Sequence, residues 1–145
     1  MDPAAGAGET AGDAPLALGA DSWERLGEAA WSAREAAFVF GPTRVGCAAL
    51  ASSGSISSGC NVEHRFRSHD VHAEVNAISS MVAGGERKLV AILIAAERER
   101  FTPCGACMDW IFQFGGPTCR VGYQRERGGP VTVHLAGELM PYYPH

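Results

Sequence analysis

Apolar positions recur along this chain with two different periods. In WERLGEAAWSAREAAFVF, residues 23–40, Trp23, Leu26, Ala30 and Ala33 fall on one stripe at helical spacing. Ser22 is the expected N-cap, and Gly41-Pro42 the expected stop. VGCAALAS and SISSGCNVE follow, separated by Ser53-Gly54, which reads as a β-hairpin. VHAEVNAISSMVA returns to helical spacing and is closed by Gly84-Gly85. KLVAILIAA is short and almost continuously apolar, as expected of a strand covered on both faces. CGACMDWIFQFG predicts a third helix. TCRVGYQ and PVTVHLA predict two more strands around the turn-like ERGG, and GELMPYYPH closes the chain.

The predicted order is helix, two strands, helix, strand, helix, two strands. Helices between strands suggest an α/β fold of three layers, α-β-α, with helices on both faces of a mixed five-stranded sheet. Residues 1–20 are rich in Ala, Gly, Asp and Pro and offer too little apolar surface to offset chain entropy, so they are expected to form a flexible N-terminal tail. The domain is expected over residues 21–145, and 145 residues suffice for one core.

Composition narrows the class. The net charge is −4, which argues against a general nucleic-acid binder, since such proteins carry a basic face. No apolar run reaches the roughly 20 residues that span a bilayer, so no membrane role is expected. MDPAAGAGETAGDAP lacks the basic start and apolar centre of a secretory signal, and a cytoplasmic location is the expectation. Five cysteines, Cys47, Cys60, Cys104, Cys107 and Cys119, are an odd number and speak against a disulfide framework.

The stretch TPCGACMDW, residues 102–110, holds a C-x-x-C pair that alone fits a redox couple, a structural zinc site or a catalytic metal site. A structural zinc site needs a second pair, such as another C-x-x-C or an H-x-x-x-H, and the chain has neither. A redox motif would follow an early strand, whereas Pro103 lies late in the chain. Upstream, DVHAEVNAI supplies His72 and Glu74. H-x-E followed by P-C-x-x-C is the signature of zinc-dependent nucleobase deaminases. His72, Cys104 and Cys107 are the candidate ligands. Three protein ligands leave a fourth zinc position open, the arrangement of a catalytic site.

The spacing also has a physical basis. Residues i and i+2 diverge by about 200° within a helix, so His72 and Glu74 can converge only where the chain enters its first turn. Cys104 and Cys107, three apart, share a face. Helix N-termini favour thiolates. Two thiolates and a neutral imidazole balance Zn²⁺, leaving a neutral site that should activate water readily. Glu74, not itself a ligand, is the candidate proton shuttle. The free N–H groups of the early helix turns, at Ala73 and Cys104, are candidate contacts to the base.

The chain resembles the cytidine deaminase family, which includes small nucleoside deaminases and blasticidin S deaminases. The likeness runs from about residue 22 to residue 145. SGCNVE at 58–63 resembles the family's TGCNVEN, RVGCAALAS its VGAALL strand, and ELMPYYPH its ELLPYAF. The resemblance implies a cytidine deaminase-like fold, a zinc cofactor and a cytosine nucleoside or analogue as small-molecule substrate. It implies sugar hydrogen bonds from Asn61 and Glu63, and a homotetramer. Trp110, Phe112, Tyr142 and Tyr143 are apolar surface that subunits would cover. Cys47, Cys60 and Cys119 are expected to be plain thiols.

The departures bear on substrate. Thr43 stands where many members carry an aromatic residue, Val75 where the variant with a third thiolate carries arginine, and Met108-Asp109 where Arg-Gln is usual. The segment after NVE is His64-Arg65-Phe66-Arg67-Ser68-His69, against small residues and Tyr-Gly in the family. Arg65 and Arg67 suggest a rim that grips an acidic substituent, or a blasticidin-like aminopyrimidine, unless they are solvated or paired. An editing deaminase of RNA or DNA and a zinc-stabilised domain without activity are the other readings. NVE and the acidic balance oppose the first, and an intact Glu74 opposes the second.

Overall fold

The structure is a computed structural model and describes residues 18–144. Helix α1 spans Ala20–Arg34, β1 Gly46–Ala51, β2 Ile56–Cys60, α2 Ala73–Ala83, β3 Leu89–Ala95, α3 Gly105–Gly115, β4 Arg120–Gln124 and β5 Val131–Leu135. A last short turn of helix, α4, spans Ala136–Leu139. The expected tail lies outside the described residues as far as residue 17. Leu18 already packs against the core that α1 covers.

The five strands form one mixed sheet in the order β2-β1-β3-β4-β5. β3 and β4 run parallel, joined through α3, and the other neighbouring pairs are antiparallel. Strand alternation divides the core into two layers. Cys47, Ala49, Ile92 and Ile94 face α2 and α3, where they meet Ala77, Ile78, Met81, Ile111 and Phe112. Ala48, Leu50, Ala91, Leu93 and Ala95 face α1, where they meet Leu26, Ala30 and Trp31. This is why KLVAILIAA is apolar at nearly every position: both faces of β3 are covered. The three-layer architecture is the one the sequence predicts.

Small residues set the spacing of these layers. A Cβ at Gly46 would lie 1.9 Å from the carbonyl oxygen of Ala30, so α1 rests directly on the start of β1. The hairpin turns at Gly54, whose φ of 96° is easy only for glycine. Gly85, at φ 97°, follows the Gly84 cap that ends α2.

Three local expectations are corrected. Helix α1 begins three residues early: Gly19 is its N-cap, Ser22 lies inside the first turn, and no side chain caps the end. It also stops at Arg34, well before Gly41. Residues beyond it are drawn into a β-bridge, with Phe38 N–H donating to Asn61 O at 3.1 Å and Glu63 N–H to Phe38 O at 2.7 Å. Pairing with the end of the hairpin outweighs helical propensity there. Finally, two of the four aromatics expected to cover a subunit interface close the domain's own core. Phe112 is buried and Tyr143 stacks on it at 4.1 Å, with its hydroxyl donating to Asp109 Oδ1 at 2.7 Å. Trp110 and Tyr142 remain exposed, at 37% and 95%.

Candidate active site

Sheet register gathers the functional segments at one end. Gly46, the first residue of β1, lies opposite both Cys60, the last of β2, and Ala95, the last of β3. The segments running into β1 and out of β2 and β3 therefore meet, beyond the carboxyl end of the parallel strand β3, where ligands bind in open α/β sheets. Both α2 and α3 start at this end. His72 is the N-cap of α2 and Cys104 the N-cap of α3, and both have extended backbones, at φ −80°, ψ 154° and φ −73°, ψ 173°. An extended residue is off the helical spiral, which is how His72 and Glu74 come to face one region despite their i, i+2 spacing.

His72 Nδ1 lies 3.3 Å from Cys107 Sγ and 3.5 Å from Cys104 Sγ. The three potential ligand atoms all fall within 4.8 Å of one another. Cys107 is buried, while His72 and Cys104 are open to the pocket side. Glu74, in the first turn of α2, is only 3% exposed. Burial pushes its carboxyl above the ordinary value, and its own N–H, His72 and the Cys107 thiol pull the other way.

A pocket of about 240 Å³ opens over this cluster, with His72, Ala73, Glu74 and Cys104 on one side. Asn61, Glu63 and Arg67 also line it. Both ends of the Asn61 amide bind backbone: Oδ1 accepts from Val45 N–H at 2.9 Å and Nδ2 donates to Thr43 O at 3.0 Å. Glu63 Oε1 accepts the N–H groups of Phe40 and Gly41 at 2.7 and 3.0 Å. Arg67 is held between carboxylates, its Nε donating to Asp70 Oδ2 at 2.9 Å and its Nη2 lying 3.3 Å from Glu63 Oε2. Arg65 is not among the lining residues; its guanidinium sits over the Phe66 ring, 5.5 Å from the centroid. Asp70, Phe101 and Thr102 line the pocket too and went unread in the sequence. Asp70 stands two residues before His72, and Phe101 and Thr102 directly before Pro103, so proximity to the motifs was the available signal.

Residues 22–123 match the family profile described as the cytidine and deoxycytidylate deaminase zinc-binding region. The chain belongs to the cytidine and deoxycytidylate deaminase family. It is 33% identical over 120 residues to a cytidine deaminase of Sporosarcina psychrophila, covering 81% of this chain and 88% of that protein. The solved cytidine deaminase of Burkholderia pseudomallei superposes with a TM-score of 0.74 at 35% identity, covering 81% of this chain and 95% of that one. The solved cytidine deaminase of Mycobacterium tuberculosis gives 0.72 at 27% identity, covering 83% and 94%. The chain is thus a zinc-dependent hydrolytic deaminase.

The donor set suits the deaminase metal. One imidazole and two thiols converging on a point are a zinc set, and three protein donors leave a position open. Burial, then the neighbouring Glu74 and Cys104, hold the Cys107 thiol far above its ordinary value, so a dication is what makes a thiolate there. The other cysteines lie outside the cluster of potential ligands, although Cys47 also feels the charge of Glu74 and Cys107. Cys47 is raised well above the usual thiol range by burial, Cys119 is pushed up to about 12 by the same cause, and half-buried Cys60 is raised by burial alone. All five are unpaired.

Proposed function

We propose that this deaminase converts cytidine or deoxycytidine to the uridine product, consuming one water and releasing ammonia. The observation that carries the reading is the buried Glu74 carboxylate beside the His72, Cys104 and Cys107 cluster, at the side of a pocket large enough for a nucleoside base. His72, Cys104 and Cys107 would hold the zinc, which supplies the acidification of water that makes a nucleophile near neutral pH. Glu74 takes a proton as water adds at C4, then delivers protons to N3 and to the departing amine. Its burial excludes solvent from that transfer, which is worth about 10²–10⁴-fold. The Ala73 N–H, in the first turn of α2, is free to contact the base. Asn61 and Glu63 keep lone pairs for the sugar hydroxyls while fixing the pocket wall with their other bonds.

A neutral nucleoside is favoured over an acidic one. The rim holds two carboxylates, Glu63 and Asp70, around one guanidinium, Arg67. A 5′-phosphate or sugar carboxylate would meet an arginine already engaged and two like charges, and the blasticidin-like alternative loses its main support in the same way. A homotetramer is supported by apolar side chains left exposed close to Glu63: Phe38, Phe40, Val62 and Phe66. Five unpaired thiols suit a cytoplasmic enzyme of pyrimidine salvage.

The test is incubation of the zinc-loaded protein with cytidine, deoxycytidine, CMP and blasticidin S, following loss of cytosine absorbance. Cytidine and deoxycytidine should be consumed fastest. Turnover confined to CMP or blasticidin S would refute the proposal. Light scattering at micromolar concentration checks the tetramer, which a monomer would rule out.

A further inference from the structure

The pocket is polar near Glu74 and again at the Glu63 and Arg67 rim, yet one part of its wall is aromatic. Phe101 is the only phenyl ring among the lining residues. It stands in the loop between β3 and α3, half-buried, and stacks on Tyr123 of β4 with centroids 6.3 Å apart and planes inclined by 23°. Tyr123 is itself tied back by its hydroxyl, which donates to Ala96 O at 3.4 Å. The loop is pinned at two further points. Arg98 Nη2 donates to Thr43 Oγ1 at 2.8 Å, across to the segment that leads into β1, and Glu97 pairs with Arg34 of α1 at 3.3 Å. A ring backed by a second ring, on a loop fastened on both sides, is a flat aromatic surface in a pocket whose other apolar lining is limited to the small side chains of Val45, Val71 and Ala73.

A pyrimidine presents polar edges and two apolar faces. The edges have partners here in Glu74 and the first-turn N–H groups. We propose that Phe101 is the specificity-determining wall of this pocket, the surface against which the face of the cytosine ring stacks, with Tyr123 and the Arg98–Thr43 hydrogen bond as the positioning contacts behind it. The inference rests on the cytosine-nucleoside reading above. Stacking of a base on an aromatic ring corresponds to about 5- to 150-fold in affinity on removal of the ring.

The experiment is calorimetric titration of cytidine into zinc-loaded Glu74→Gln protein, which binds without turnover, and into the same protein carrying Phe101→Ala, Phe101→Leu or Phe101→Tyr. With Glu74 intact, KM and kcat are measured for the same three substitutions. Phe101→Ala should weaken cytidine about 5- to 150-fold and raise KM more than it lowers kcat. Phe101→Leu, which keeps apolar volume in the loop and guards against a folding defect, should weaken it too, while Phe101→Tyr should stay within a few fold of the parent. Leucine binding as well as phenylalanine, or no loss with alanine, would overturn the stacking role while leaving the deaminase reading intact. Cytidine that neither binds to Glu74→Gln nor turns over in the parent would overturn both.

Discussion

Arg67 Nη2 lies 3.3 Å from Glu63 Oε2 at the pocket rim, and this pair turns an arginine that the sequence offers to an anionic substrate into a brace for a carboxylate. The Arg67 side chain is 60% exposed, so each contact is weak by itself. Its effect is to order Glu63, whose other oxygen holds the Phe40 and Gly41 N–H groups. Arg67→Ala is expected to raise KM for cytidine a few fold with kcat little changed, and to cost CMP no more than cytidine. Steady-state kinetics on both substrates decide the matter. A wild type that prefers CMP, with the preference lost in Arg67→Ala, would return the arginine to an anion-binding role.

Glu63 also sets a pH signature. The N–H groups of Gly41 and Phe40, with Arg67 adding to them, hold its carboxyl below the ordinary 4.5. A lowered folded-state value contributes stability that is complete above the unfolded value and is lost as pH falls through the folded one. The melting temperature of wild type should therefore exceed that of Glu63→Gln at pH 6–8, and the gap should close as pH drops below about 4.5. A gap that widens on acidification would mean the carboxylate is not stabilised by these donors.

Much of this site was legible because its chemistry is local. His72 to Glu74 and Cys104 to Cys107 are each contained within one helix start, and a helix start is readable from sequence. The two-sided burial of β3 was legible for a similar reason. What could not be read is long-range. Phe38 leaves the helical pattern only because the end of the hairpin, Asn61 to Glu63, offers it a β-bridge. Arg67 becomes a brace only because Asp70 and Glu63 fold to either side of it. Phe101 lines the pocket with Tyr123, 22 positions later, stacked behind it. Each depends on a partner that spacing alone does not reveal.

Zinc should follow the three clustered residues and no other cysteine. His72→Ala, Cys104→Ala and Cys107→Ala are each expected to lose stoichiometric zinc by atomic absorption, while Cys60→Ala keeps it, since Cys60 belongs to no metal cluster among the described residues. Chelation should abolish activity and added zinc restore it. Full zinc in Cys104→Ala would show that the cluster is not the metal site.

Glu74 separates metal binding from turnover. Glu74→Gln keeps the volume of a side chain only 3% exposed and leaves all three potential ligands in position. It should fold, retain one zinc per chain and lose at least about 10²-fold in kcat, the lower end of what a positioned proton shuttle provides. Retention of a tenth of wild-type turnover would exclude Glu74 from that role.

The approach of α1 to the sheet yields a stability prediction independent of the chemistry. Gly46 faces the α1 backbone so closely that an added Cβ would lie 1.9 Å from Ala30 O and 2.8 Å from Arg34 N. Neither atom can rotate away, because both belong to the helix backbone and Leu26, Ala30 and Trp31 anchor that helix in the core. Gly46→Ala must therefore push α1 off β1, an overpacking cost of about 1–3 kcal/mol or more. Gly54 supplies the control. Its φ of 96° strains any other residue, yet nothing lies within 4 Å of a Cβ there, so Gly54→Ala should cost only about 1–2 kcal/mol of backbone strain. Because β1 begins where the pocket does, with Val45 bonded to Asn61, the shift at Gly46 should also raise KM for cytidine, which Gly54→Ala at the far end of the hairpin should not. Denaturant melts and kinetics of the two variants test both statements. A Gly46→Ala protein as stable as Gly54→Ala, with an unchanged KM, would mean that α1 does not bear on the sheet at this point.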